Sequence, residues 1–153
     1  MKIDDARPSE LKRLSEIWEA AVRATHHFLS EEDIVGYRPL VAEGLAKTAL
    51  LAARDEEGRA LGFMGIEAPT ADSPARIPVL FIDPAHHGQG IGRALIEEAA
   101  RRHGDLNLEV NEQNPGAQVF YKKMGFEVMG RSELDNEGRP FPLLHLHRKA
   151  FPA

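Results

Sequence analysis

Three glycines at alternate positions stand in the run His87-Gly88-Gln89-Gly90-Ile91-Gly92, after an apolar stretch and before a helical one. Glycine lets successive backbone N–H groups point into one concavity, and the start of a following helix adds the positive end of its dipole. Strand, glycine turn and helix, from Ile77 to Arg102, therefore form a candidate phosphate site. Two better-known phosphate loops do not fit. A P-loop ends in Gly-Lys-Ser/Thr, whereas Gly92 is followed by Arg93-Ala94. The dinucleotide fingerprint Gly-x-Gly-x-x-Gly meets Arg93 or Leu95 at its last position. Taken alone, the turn is equally readable as a tight strand–helix connection that holds nothing.

The other reactive side chains are histidines. His26-His27, His86-His87 and His145-x-His147 are paired, but none has the His-Glu-x-x-His spacing of a helical zinc site. With no cysteine in 153 residues there is no disulfide, thiolate nucleophile or cysteine-ligated metal. We therefore expect no metal. Nineteen basic residues against 24 acidic ones leave a net charge of -5, which disfavours nucleic acid and anionic membranes as partners. The N-terminal MKIDDARPSELKRL is charged from its second residue and has no apolar run, so a cytoplasmic protein is expected.

The elements that must position these groups follow from periodicity. Length and an apolar content of 42% suit one domain, 1–153, with a real core. After a short initial strand, Pro8 and Ser9 open a helix with Leu11, Leu14, Trp18, Ala21, Val22 and Thr25 on one face. Ser30 and the acids behind it start a second helix. Ala49–Arg54 and Leu61–Glu67 read as strands around the turn Asp55–Gly58. Pro69–Pro78 reads as a loop, Ile77–Ile82 as one dense strand, and Arg93–His103 as a helix closed by Gly104. Leu106, Leu108 and Val110 alternate with polar residues as in a half-buried strand. Asn114-Pro115 starts a helix carrying Ala117, Phe120, Tyr121 and Met124. Phe126–Leu134 and Phe141–His147 are the last two strands, joined by the turn Asp135–Gly138. This order describes a mixed α/β sheet in one layered domain.

Two motifs taken together resemble a known family. His87–Gly92 corresponds to the Gln/Arg-x-x-Gly-x-Gly/Ala signature of the GCN5-related N-acetyltransferases (GNAT), with His87 where Gln or Arg is usual. The stretch from Asn114 to Phe126 resembles that family's second signature, Asn-x-x-Ala-x-x-Phe-Tyr-x-x-x-Gly-Phe. Thr25–Leu29, Asn111–Asn114 and Pro140–Leu144 are similar to the YjaB-type bacterial subgroup. The resemblance implies the GNAT fold: a central, mostly antiparallel sheet of six to seven strands, splayed between its fourth and fifth, flanked by about four helices. It implies acetyl-CoA as acyl donor and a primary amine, on a protein lysine or a small molecule, as acceptor. It also implies a homodimer as one possible assembly.

The same resemblance assigns roles. Main-chain groups of Leu80, Phe81 and Ile82 pair with the pantetheine arm. Backbone N–H groups of Gly88, Gln89, Gly90, Ile91, Gly92 and Arg93 bind the pyrophosphate. Asn114 contacts the cofactor, although Asn before Pro is also a sufficient helix cap. Tyr121 donates a proton or hydrogen bond to the leaving thiolate, since a phenol keeps its proton at neutral pH; its plain structural alternative is an aromatic core residue. His26 is the first candidate for the base that deprotonates the amine, with His145 second and Glu109 third. Phe28, Asn111 and these same three residues line the acceptor side. With no cysteine for an acyl-enzyme, the amine attacks directly in a ternary complex. The competing reading is a non-catalytic module of the same fold that binds or senses acyl-CoA.

Overall fold

The computed structural model describes residues 1–150. Its elements run β1 (Lys2–Asp5), α1 (Leu11–Thr25), α2 (Glu31–Lys47), β2 (Leu50–Arg54), β3 (Ala60–Gly65), β4 (Ala75–Ile77), β5 (Leu80–Ile82), α3 (Ile91–His103), β6 (Leu106–Asn111), α4 (Pro115–Lys123), β7 (Glu127–Ser132) and β8 (Leu143–Arg148). The strands form two four-stranded sheets, in the orders β1-β2-β3-β5 and β4-β6-β8-β7. All pairings are antiparallel except β4 with β6.

Local chemistry explains most of the element ends. Ser30 and Asp33 form a reciprocal capping box at the start of α2, with Asp33 N donating to Ser30 Oγ at 3.0 Å and Ser30 N to Asp33 Oδ2 at 2.9 Å. Asn114 Oδ1 accepts from Ala117 N at 3.2 Å and caps α4. The hairpin turns close on glycines in the left-handed region, Gly58 (φ +84°) and Gly138 (φ +75°).

Helices cover both faces of the first sheet, so all five residues of β2 are buried. Leu51 and Ala53 face α3, where Leu95, Ile96 and Ala99 are fully buried. Leu50 and Ala52 face α1 and α2, against Leu14, Ile17 and Trp18. Each such leucine or isoleucine contributes about 1.5–3 kcal/mol through burial. In the second sheet Leu106, Leu108 and Val110 join the α3 side of the core. The alternate residues Asn107, Glu109 and Asn111 take the opposite face, beside His145 and His147.

The run read as one strand from Ile77 to Ile82 is two. β4 begins at Ala75, inside the expected loop, and pairs in parallel with β6 as far as Ile77 opposite Leu108. Proline at 78 has no N–H to continue the ladder. The chain then crosses to the first sheet, where β5 pairs with β3 from Leu80–Met64 to Ile82–Gly62. The expected six to seven strands thus become eight short ones, and the splay opens between β5 and the second half of β6. The sheet divides because one segment serves both halves in turn.

Candidate active site

The splay forms a groove of about 1100 Å³. Its floor and walls come from β5, from Leu108–Asn111 on β6, from the α3 start and from one side of α4. β5 is the last strand of its sheet and pairs only with β3, so its second backbone edge is open to the gap.

At one end stands the glycine turn. Asp83 closes the exit of β5 by accepting from Ala85 N at 3.0 Å. Arg13 of α1 holds Asp83 Oδ2 at 2.8 Å and Ala60 O at 2.9 Å. Gly88 and Gly90 have φ of +77° and +78°, with nothing within 4 Å of an added Cβ. Glycine is therefore needed there for conformation, not for space. Gly90 is the N-cap of α3 and supplies no side-chain acceptor, which leaves the first-turn N–H groups available. Gly92 is required for a different reason. A Cβ there would lie 3.0 Å from Phe120 Cζ, so glycine lets α4 pack against the start of α3. Arg93 lines the groove, but its side chain also reaches Glu97 at 3.6 Å along an exposed helix face. Gln89 is not part of the lining, and its Oε1 sits 3.3 Å from His86 Nδ1.

Tyr121 also lines the groove, half-buried, with its ring edge-on to Phe120 (5.1 Å) and Phe126 (5.5 Å). Burial pushes its phenol well above the ordinary tyrosine range. It stays protonated throughout the neutral range. Asn114 and Asn111 line the groove beside it.

The far end gathers Thr25, His26, Arg76, Glu109 and Asn136. His26 Nδ1 is 2.8 Å from Thr25 Oγ1, and burial, with a smaller contribution from His27, pulls its pKa down to about 4. The imidazole is therefore neutral at pH 7. Burial would raise the Glu109 carboxyl, but hydrogen bonds from Arg76 (2.6 Å) and Asn136 (3.2 Å) outweigh it and hold the group below the usual carboxylate range. His145 stands behind Glu109 and outside the lining. Its Nδ1 is 3.3 Å from Glu109 Oε2 and its Nε2 is 2.6 Å from Ser132 Oγ. Phe28 is also outside the lining, stacked between His26 and Phe141 at 5.4 Å from each. Both are expected on the acceptor side; Phe28 packs against His26 and His145 against Glu109, and it is His26 and Glu109 that line the groove.

A strap closes this end. The loop between β7 and β8 is tied to α2 by Tyr37 Oη donating to Asp135 and by Arg139, which lies over the Tyr37 ring at 4.2 Å and 3.7 Å from Asp33. Gly36 leaves room for that guanidinium, since a Cβ would come within 3.1 Å of it. The strap carries Asn136 to Glu109. Arg76 and Asn136 escaped sequence reasoning. Arg76 lies in a stretch whose composition reads as loop, and Asn136 reads as an ordinary turn residue.

Among the described residues no group of three or more metal-ligating side chains occurs, and no helix is long and apolar enough to cross a membrane.

Known proteins share this arrangement. Residues 46–128 match the model of the acetyltransferase (GNAT) domain. The chain is 42% identical over 146 residues to the peptidyl-lysine N-acetyltransferase YjaB of Salmonella typhimurium, covering 95% of this chain and 97% of that one. It is 30% identical over 127 residues to the peptidyl-lysine N-acetyltransferase YiaC of Escherichia coli. The solution structure of apo YjaB from Escherichia coli superposes with a TM-score of 0.87 at 41% identity, over 95% of each chain. The domain match spans more than half of the chain and the YjaB relatives nearly all of it, and the chain belongs to the GNAT family of N-acetyltransferases.

Proposed function

We propose that the groove binds acetyl-CoA with its pyrophosphate at the glycine turn and its pantetheine arm along β5, and that the acceptor is a lysine ε-amine on a protein. The observation that carries this reading is convergence. A strand edge with unpaired backbone, a helix start with free N–H groups and Tyr121 all line one groove. An extended amide chain suits the first, a pyrophosphate the second. Acetyl-CoA supplies a thioester whose carbonyl carbon takes the amine lone pair as the C–S bond breaks. Main-chain groups of Leu80, Phe81 and Ile82 hold the arm, and the N–H groups of Gly88 to Arg93 hold the phosphates. Asn114 spends its Oδ1 on the α4 cap, which sets the direction of the helix that carries Tyr121. The Tyr121 hydroxyl donates to the departing sulfur.

At the acceptor end the amine must arrive without its extra proton or lose it there. His26 is neutral at pH 7 and can accept a hydrogen bond from the amine, although a pKa of about 4 makes it a weak base. Glu109 attracts the ammonium form, and the proton leaves through water beside it. The preference for protein lysine rests on the peptidyl-lysine activity named for the YjaB and YiaC relatives. The test is thiol release from acetyl-CoA with lysine peptides, polyamines and aminoglycosides as acceptors. Turnover on lysine peptides well above that on small amines is expected. Turnover confined to a small amine would replace protein lysine as the acceptor class.

A further inference from the structure

Glu109 is the one carboxylate among the described residues lining the groove, and the cation beside it is shared. Arg76 Nη2 donates to Glu109 Oε1 at 2.6 Å, while Arg76 Nη1 lies 3.3 and 3.4 Å from the two oxygens of Glu67. Glu67 is more than half exposed and outside the lining, whereas the Glu109 side chain is 17% exposed. The residues are fixed as neighbours by paired backbone bonds, Glu67 N to Arg76 O at 2.8 Å and Arg76 N to Glu67 O at 3.0 Å. Arg76 itself sits opposite Asn107 in the β4–β6 register. Two carboxylates and one guanidinium leave one negative charge uncompensated. The other groups facing Glu109 are the Asn136 amide and the His145 imidazole.

We propose that Arg76 is a transferable counter-ion, which neutralises Glu109 in the free protein and moves onto Glu67 when the acceptor's ammonium docks on Glu109. This rests on the reading of the far end as the acceptor side and adds a function for Glu67, a residue that does not touch the acceptor. The incoming ammonium completes the charge balance of the trio. The movement required is small: both Nη1–Glu67 contacts need to shorten by only about 0.5 Å to reach charge-assisted hydrogen-bond length. Glu109 thereby exchanges one partner for another without standing unpaired in the groove, where an uncompensated charge is costly. The device selects aliphatic amines that are cationic in solution and carry no carboxylate near the nitrogen, because a second carboxylate would compete for Arg76.

The test is Glu67→Gln, with N-acetyl-lysine amide as the cationic acceptor and aniline, uncharged at neutral pH, as the control. The KM for N-acetyl-lysine amide is expected to rise about two- to fivefold, the equivalent of one partly exposed ion pair. The KM values for aniline and for acetyl-CoA should not move, and Glu67→Asp should restore the native value. An unchanged KM for the cationic acceptor, or an equal rise for aniline, overturns the proposal. A binding measurement covers the case in which neither amine is acetylated. The Arg76 Nε–H signal in nuclear magnetic resonance should shift on adding N-acetyl-lysine amide to the native protein and stay in place in Glu67→Gln. No shift in the native protein refutes the transfer. A shift without turnover refutes only the acceptor chemistry on which the reading rests.

Discussion

Replacing Tyr121 by Phe removes one oxygen and leaves the ring. The ring's contacts with Phe120 and Phe126, at 5.1 and 5.5 Å, do not involve the hydroxyl. Among the described residues the hydroxyl has no hydrogen-bond partner, so its loss breaks no protein contact. The hydroxyl is on a residue that lines the groove and is not a buried unpartnered group, so the variant should be about as stable as the native protein. Its effect should fall on chemistry. Loss of a positioned proton donor typically costs about 10²- to 10⁴-fold, or roughly 3–5 kcal/mol of barrier. Single-turnover release of CoA thiol on a lysine peptide should therefore slow by at least about 100-fold. Acetyl-CoA affinity by calorimetry should change little, because the contacts proposed for the phosphates and the arm are backbone groups elsewhere. Burial raises the phenol above its ordinary value of 10.0, so the native pH–rate profile should show no basic decline from this group below pH 10. A slowing of less than about threefold with acetyl-CoA bound would remove Tyr121 from the chemistry, since even weak acid catalysis exceeds it.

Three further outcomes follow from the structure. His26, drawn from 6.5 to about 4, refuses a proton that the unfolded chain accepts between those values. Stability should therefore rise with pH across that window and fall on acidification through it, by urea midpoint, and His26→Gln should flatten this slope; Glu19 and Glu98, each lowered from 4.5 to about 2, add a loss of the same sign only from about pH 4.5 downward. Gly92→Ala drives a Cβ to 3.0 Å from Phe120 Cζ and should cost about 1–3 kcal/mol in denaturant titration, with Phe120→Leu in the same chain recovering part of it. Arg54 is 2% exposed and holds Glu10 at 2.5 and 2.7 Å, Asp4 at 2.5 Å and the carbonyls of Asp5 and Gly58 at 3.1 Å. Arg54→Ala should lower stability by about 3 kcal/mol or more, while the activity of the molecules that remain folded is retained; a Tm within a few degrees of native would show that water replaces these contacts.

The local features were legible because their causes are local. Ser30, Asn114 and Pro115, Gly58 and Gly138 act on backbone within a few residues; the helix starts fall where expected, and the strand ends flanking the two turns lie within two residues of the expected places. The spacing of Leu14, Trp18, Ala21 and Val22 declared a buried helix face, and Leu106, Leu108 and Val110 a half-buried strand. The glycine turn could be read as a candidate phosphate cradle because N–H groups and helix dipole come from one continuous segment. Even there, Gly92 serves a purpose hidden in the sequence, close contact with an aromatic ring 28 positions later.

Other features were decided only when distant segments met. Apolar composition made 77–82 look like one strand; which sheet each half joins depends on partners, β6 and β3, that belong to different sheets. That end of the groove owes its charge balance to Glu67, Arg76, Glu109, Asn136 and His145, brought together from five separate elements and loops. No spacing rule links them. The weakness of His26 as a base is likewise a property of its surroundings, since an imidazole's proton affinity depends on how much water the fold leaves around it. Residue type and order determined which groups were available to hold an acyl-CoA. The splay determined which could reach one another, because a groove exists only where one strand leaves its neighbour to pair elsewhere.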